Sequence, residues 1–497
     1  MEGYLFKDVR EFIKKNYLIL TILLLGFFFR AYRSRELFMY SHDQDLLGWF
    51  IKDVLINHDL RLVGQETSIK GIYIGPFFYY LLIPFYLIFK MDPIGGVYFS
   101  IILGVISIWS VYFVFSKILS KSIGLAGSFI YAISFYTVFT DREVVPTTPA
   151  MLWTVWYLYG LHLLLGKQRR GFLLLGVLIG LIWNINLGLA VSFPLILYAL
   201  FLRRKIDLVG AFKGFIAGVF VASPLIIFEL RNGFQQIKSA MNNVGGGGTE
   251  FPGVADKFDR VMQLVVKNVS SLIWGSVVPV SQKDTFSLVM LFLVVITFKK
   301  MADLKILKLI WAWIILYILF FSTNSIILSE YYLNGVTIVW ILILAIALEK
   351  LYEKPILRIF GLMMLLGFFS INIYRLFQID INKSGYIDRR ALVSFIKNDA
   401  SNNSYPCVSV SYITKPGYDL GYRYLFWLEG MHVNQPISGS PVYTIVFPHS
   451  MVDKIDQSFG ALGLVLPDYE KYNMREVVVS CSGENSNLTD PLFGFSD

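Results

Sequence analysis

Charge is scarce in this chain: Asp, Glu, Lys and Arg make up only 16% of its 497 residues, while 56% are hydrophobic and 16% aromatic. A soluble protein of this length needs far more charge on its surface, so the composition points to an α-helical polytopic membrane protein. The formal charge of +9 lies in small Lys/Arg clusters between apolar runs, the pattern of cytoplasmic loops, and no nucleic-acid partner is expected. Cysteine is nearly absent. Cys407 and Cys481 both lie in the polar C-terminal region and can pair only if that region faces an oxidising compartment; two free thiols fit the sequence equally well. No small-residue cleavage site follows the first apolar run, which is expected to remain as an anchor. No acid or base falls clearly at mid-depth of an apolar run, and the lack of intramembrane charge argues against ion-coupled transport.

Apolar runs long enough to cross a bilayer lie near 17–32, 97–116, 123–140, 150–165, 171–202 (two short helices), 209–228, 286–298, 306–322, 333–348 and 356–374, about eleven spans in all. The run "FFYYLLIPFYLIF" at 77–89 is too short, carries Pro84, and reads as an interfacial or re-entrant segment. With it excluded, the clusters around Lys14, Lys117, Arg169, Arg203, Lys299 and Lys350 all fall on the cytoplasmic side, giving a cytoplasmic N-terminus and an extracytoplasmic C-terminus in a plasma membrane. Arg30, Arg33 and Arg35 stand at the other end of the first span and are assigned to a long external loop. The expected domains are a membrane domain, 1–375, with external loops 33–96, 141–149 and 229–285, and a small extracytoplasmic α/β domain, 376–497.

The loop after the first span begins "SHDQDLLGWFIKDVL". Ser41 and Gln44 have capping-box spacing, predicting a helix from Ser41 to about Asn57. Helical geometry places Asp43 at the head of an apolar face with Leu47, Phe50 and Val54, against the membrane surface, and turns Asp45 to the opposite side. Asp43 thus reads as a carboxylate base at headgroup level, its ionised form favoured by the helix N-terminus. The structural alternatives are an Asp43 that only caps and an Asp45 that only solvates. His42 has no His or Cys partner at metal spacing. Further on, Gly64, Gly71, Gly75 and Pro76 set turns, and Tyr73, Tyr79 and Tyr80 cluster as interface tyrosines suited to a substrate with a lipid tail.

The stretch "HDQDLLGWFIKDVLINHDLRLVGQETSIKGIYIGPFFYYLLIPFYLIF", with acids just after a first span and then a Gly-Pro-aromatic-Tyr-Tyr run, resembles the first external loop of GT-C-fold glycosyltransferases. The likeness is to the family 39 group of protein O-mannosyltransferases and the aminoarabinose transferase acting on lipid A, and it covers residues 15–165 best. It implies transfer of a sugar, with inversion, from a polyprenyl-phosphate donor to an acceptor hydroxyl of a protein, lipid or glycan on the outer side of the bilayer. Asp43 then matches the catalytic aspartate and deprotonates the acceptor. In "TDREVVPTTP", Arg142 becomes a partner for the leaving phosphate and Glu143 a sugar or acceptor ligand. In "SEYYLNG", Glu330 and Tyr331 become substrate contacts, and Asp45, Tyr73, Tyr79 and Tyr80 are counted with them. Many relatives carry a histidine where this chain reads "WNINLGL" with Asn186, so no role is carried over there. Asp43, Asp45, Glu143 and Glu330 can assemble an oxygen site for Mg²⁺ or Mn²⁺, though no spacing demands one. An oligosaccharide transferase, a lipid-linked sugar or ion transporter without transferase activity, and an inactive sugar-lipid-binding relative are the competing readings.

Four successive glycines, 245–248, mark a lid or plain linker in the long external loop. Beyond 375, "PCVSVSYI", "PVYTIVF" and "REVVVSC" read as strands, and "DRRALVSFIKND" and "YDLGYRYLFWLEG" as helices. Sequons stand at Asn268, Asn402 and Asn487.

Overall fold

The computed structural model describes residues 2–67, 70–204, 206–246, 253–275, 287, 305–323, 330–353 and 355–487. The expected span at 286–298 and the second half of the glycine run lie outside the described residues. The chain folds as two compact units. One comprises 1–32, 100–142 and 146–379, the other 33–99, 143–145 and 380–497. The loop that follows the first apolar helix thus falls in one unit with the C-terminal region.

The first unit is helical. It opens with α1 (Glu2–Ala31) and continues through the larger part of α4 (Ile94–Ile118), α5 (Lys121–Ile133) and α6 (Phe135–Arg142) into a series of apolar helices ending with Pro355–Phe377. Among the described residues four helices are long and apolar enough to cross a membrane, or six if two bent pairs each count as one. The 171–202 run forms two short helices as expected, Arg170–Ile185 and Pro194–Arg203, joined by a 3-10 turn.

Both bends have local causes. Between α5 and α6 the axis turns by 63° at Ser134, whose φ/ψ of −56°/122° is non-helical. The N–H of Phe135 freed there is taken by Asn372 Oδ1 at 2.7 Å, and Ser134 Oγ donates to the Leu272 carbonyl at 3.0 Å, so the break leaves these groups satisfied. The second bend, 61° between Leu208–Val221 and Ser223–Arg231, falls at Pro224, which cannot donate into a continuing helix. Gly176 and Gly180 lie directly against Gly214 and Gly218, a four-residue glycine spacing that lets two helix backbones touch. Trp313, Tyr157 and Tyr317 are among the largest wholly buried side chains of the core.

Arg30 overturns one sequence expectation. It is no loop cation: it lies within α1, 0% exposed, with Nε and Nη2 donating to Asp141 Oδ2 at 2.9 and 2.6 Å. Nη1 donates to the carbonyl of Ala132 at 2.9 Å, and Tyr131 Oη donates to Asp141 Oδ1 at 2.9 Å. Every charge in this pair is met by a hydrogen-bonding partner, the condition for burying an ion pair in an apolar unit.

The second unit combines α2 (His42–Lys52) and α3 (Phe77–Ile88) with a mixed five-stranded sheet of order β2-β1-β3-β5-β4. The strands are β1 (Val408–Thr414), β2 (Val433–Asn434), β3 (Val442–Phe447), β4 (Gln457–Phe459) and β5 (Leu462–Val465). β1 pairs in parallel with β2 and β3, and β5 joins β3 antiparallel. The helix Tyr386–Asn402 buries Leu392, Val393 and Ile396, and Val408, Tyr443, Ile445, Leu462 and Leu464 are buried in the strands. Two of the three expected strands are β1 and β3; the third, "REVVVSC", lies in the helix Met474–Ser480. There Asn473 Oδ1 accepts from Arg475 N at 3.0 Å, an N-cap that decides a run whose apolar residues alone are ambiguous. Cys407 and Cys481 form a disulfide, with Cα atoms 5.5 Å apart. Asn268 and Asn487 are buried and hydrogen-bonded through their side-chain amides, so of the three sequons only Asn402 is exposed.

Candidate active site

The site is built on α2. Gln44 Oε1 accepts from Ser41 N and Ser41 Oγ, both at 2.8 Å, which fixes the helix start where the capping spacing placed it. The helix proper ends at Lys52 and passes into a π-turn, Asp53–Asn57. Its apolar face does not lie open to the membrane surface as expected: Leu47 and Phe50 are 0% and 1% exposed, and Phe50 stacks on Tyr79 with ring centroids 4.5 Å apart.

Asp43, in the first turn, remains partly exposed. Its Oδ1 accepts from Gln65 Nε2 at 3.0 Å. Glu143 joins it: Gln44 Nε2 donates to the Val144 carbonyl at 3.2 Å, fastening the 143–145 segment to the head of α2. Burial first, and the charge of Asp43 second, push the Glu143 carboxyl up to about 7. Glu143 nevertheless keeps an open surface; water reaches part of the side chain while protein crowds the carboxyl from other sides. Two carboxylates with such different environments can divide a proton-accepting and a proton-holding role.

Asp45 corrects the sequence reading twice, being neither solvated nor placed to meet substrate. It is 0% exposed; Oδ1 accepts from Tyr40 Oη and Tyr424 N, both at 3.0 Å, and Oδ2 from Trp49 Nε1 at 3.2 Å. The face of α2 opposite Asp43 is therefore seated on the short helix Arg423–Leu428, where the Tyr424 ring lies against Gly48 so closely that any side chain there would overlap it.

The tyrosines divide. Tyr79 is 1% exposed and its Oη accepts from Gln65 N at 3.0 Å; it is part of the scaffold and cannot contact substrate. Tyr80 Oη donates to the Arg61 carbonyl at 2.9 Å, also a structural bond. Tyr73 is 9% exposed and bridges to Glu66 across the loop. In the first unit, Arg142 donates from Nη2 to the carbonyls of Phe29 and Tyr32 at 2.5 and 2.6 Å and from Nε to Arg30 O at 3.2 Å. These carbonyls end α1, where a cation meets both unpaired acceptors and the negative end of the helix dipole. Asn186 Oδ1 caps a 3-10 turn by accepting from Gly188 N at 2.9 Å. Glu330 and Tyr331 begin the 3-10 turn Glu330–Leu333, and their side chains lie outside the described residues. Gln65 and Gln44 were missed as site residues by sequence reasoning; the capping box was the available signal for the second, and nothing local marked the first.

Among the described residues no group of three or more His, Cys, Asp or Glu side chains is placed to hold a metal ion. Asp45 is taken up by its own hydrogen bonds.

Residues 74–228 match the model of the dolichyl-phosphate-mannose-protein mannosyltransferase family. No curated protein sequence matches the chain significantly. Among solved structures, the chain is similar to ArnT from Cupriavidus metallidurans bound to undecaprenyl phosphate, with a TM-score of 0.61 at 10% identity over 93% of this chain and 99% of that one. It is also similar to the archaeal oligosaccharyltransferase AglB from Archaeoglobus fulgidus, in complex with an inhibitory peptide and a dolichol-phosphate: TM-score 0.53, 13% identity, 87% of this chain and 70% of that one. Likeness at such identities is a likeness of fold. The chain is a multi-pass membrane protein with the GT-C glycosyltransferase fold, and its segment 74–228 is similar to the protein mannosyltransferase family.

Proposed function

We propose that the protein is an inverting glycosyltransferase that moves a sugar from a polyprenyl-phosphate carrier to an acceptor hydroxyl at the outer face of the membrane. The observation that carries this reading is the Asp43 carboxylate, partly open, held by Gln65 and accompanied by Glu143. The lipids named for the two similar structures, undecaprenyl phosphate and dolichol-phosphate, support the donor class. In the proposed step Asp43 takes the acceptor proton as the hydroxyl oxygen bonds to the anomeric carbon. The bond from that carbon to the phosphate oxygen breaks, and its electron pair leaves with the phosphate. Glu143 supplies a hydrogen-bond partner for sugar or acceptor; the roles of Arg142 at the leaving phosphate and of Glu330 and Tyr331 as further contacts are proposed on the family resemblance alone. The eleven-span topology, with an extracytoplasmic second unit, belongs to the same proposal; the Cys407–Cys481 disulfide supports it, since such bonds persist in oxidising compartments. A divalent cation, if bound, would be held by Asp43 and Glu143 and would supply positive charge for the donor phosphate.

The test is transfer by the reconstituted full chain from radiolabelled undecaprenyl- and dolichyl-phosphate hexoses, mannose first. Asp43→Asn should abolish transfer while undecaprenyl phosphate still binds, and transfer at a near-normal rate in that variant overturns the assignment. Mass spectrometry of glycans and glycolipids from cells with and without the gene identifies the sugar and acceptor.

A further inference from the structure

Asp43 is held by a closed circuit of contacts, all within the second unit. Phe50, two turns along α2 from Asp43, stacks on the ring of Tyr79 in α3. The Tyr79 hydroxyl accepts from Gln65 N at 3.0 Å. The Gln65 side chain returns to Asp43, donating from Nε2 to Oδ1 at 3.0 Å. Two further bonds hold the strand-like loop that carries Gln65: Gly64 N donates to Ile74 O at 2.7 Å, and Ile74 N to Gln65 O at 3.0 Å. Gly64 lies flat against the Tyr79 ring, with no room for a side chain.

The amide is an odd choice for mere packing. Gln65 Oε1 is buried and accepts no hydrogen bond among the described residues, a standing cost to folding that an apolar side chain of the same size would not carry. What the amide gains is its bond to Asp43. An ionised carboxylate only accepts, so Nε2, and not Oε1, must be the atom that faces it. A neutral donor has one advantage over Lys or Arg at this position: it fixes the carboxylate without offering a cation that would compete for the donor phosphate.

We infer that Gln65 is a positioning residue for Asp43: its Nε2 holds Oδ1 and fixes the side-chain rotamer, so that Oδ2 is the oxygen presented to the acceptor hydroxyl, with Tyr79 anchoring Gln65 in turn. The inference rests on Asp43 acting as the base. It deepens that reading by stating which oxygen works and what aims it. A misplacement of about 1 Å at a reacting group is enough to lower a rate roughly 100-fold.

The experiment uses the full chain in lipid nanodiscs, with transfer from undecaprenyl-phosphate mannose, or whichever carrier sugar proves active, and a readout that needs no turnover. Gln65→Leu removes the donor and the unpaired oxygen together; Tyr79→Phe keeps the stacked ring and removes only the hydroxyl. Gln65→Leu should lower kcat roughly 10- to 100-fold with KM for the donor nearly unchanged. Tyr79→Phe should lower it less, and the double variant should match Gln65→Leu alone, because both changes break one circuit. In parallel, carbodiimide labelling of Asp43, mapped by mass spectrometry at one mildly acidic pH, should become several-fold faster in both variants as the carboxylate loses its restraint. Unchanged labelling and unchanged kcat in Gln65→Leu that keeps the parent melting temperature overturn the inference, as do fully multiplicative effects of the two changes. Faster labelling with transfer unaffected confirms the Gln65–Asp43 contact but overturns its positioning role, whereas transfer surviving in Asp43→Asn sinks the proposed function separately. Should Gln65→Leu fail to fold, Tyr79→Phe carries the same test.

Discussion

Gln44 reaches from the first turn of α2 to the carbonyl of Val144, 3.2 Å away, while its Oε1 accepts from Ser41 at 2.8 Å. One side chain both starts the helix that bears Asp43 and holds the segment that bears Glu143, residues separated by a hundred positions in sequence.

Replacing Gln44 by Ala should therefore do two things at once. Loss of the capping interaction should lower stability by about 1 kcal/mol, and release of the 143–145 segment should lower transfer more than that modest destabilisation explains. Thermal unfolding alongside kcat/KM checks this; Gln44→Glu, which keeps the cap acceptor but loses the Nε2 donor, separates the two effects.

Asp45 should behave as a keystone of the second unit. Asp45→Leu leaves the Tyr40 hydroxyl, the Trp49 indole N–H and the Tyr424 amide without their acceptor. Buried donors stranded in this way cost about 1–3 kcal/mol each, so a total loss of several kcal/mol is expected. Limited proteolysis should then cut within 33–99 and 380–487 in the variant before it cuts the parent, while the helices of the first unit stay protected.

The carboxyl of Glu143 gives a pH signature. Its value is raised from 4.5 to about 7, so between those limits the folded chain holds a proton that the unfolded chain has released. The sign follows: this contribution to stability is fully present below pH 4.5 and is lost as pH rises through 7. Because Asp43 is one cause of the shift, Asp43→Asn should move the midpoint of pH-dependent carbodiimide labelling at Glu143 downward. A midpoint that stays fixed or rises contradicts the coupling.

The disulfide closes a separation of 74 residues between Cys407 and Cys481, and a loop of that length restricts the unfolded chain by roughly 4 kcal/mol on the chain-entropy account. Cys407→Ser with Cys481→Ser should lower the melting temperature of the second unit selectively, read by loss of protection across β1 and the helix Met474–Ser480 in hydrogen exchange.

Local rules reached part of this architecture. The Ser41-x-x-Gln44 spacing and the apolar period located α2, and alternation located β1 and β3, because these signals lie within a few residues of one another. The partners of the acids were not local. Arg30 and Asp141 stand 111 positions apart, and Asp45 finds the Tyr424 amide from the far end of the chain. A helical wheel could tell that Asp45 faces away from Asp43 but not that a protein surface waits on that side. Likewise "REVVVSC" carries a strand-like composition, and only the Asn473 cap and the tether at Cys481 show why its centre coils into a helix.

The second unit draws its residues from 33–99, 143–145 and 380–497, and this has a biosynthetic corollary. When the acidic loop emerges from the ribosome, the surface that will seat Asp45 has not been made, and at cellular elongation rates it follows only after on the order of tens of seconds. In that interval Trp49 and its neighbours stand uncovered. Completion of the second unit is thus a late event in the life of each copy, and a nascent chain stalled before residue 424 would be a natural client for chaperones at the membrane surface.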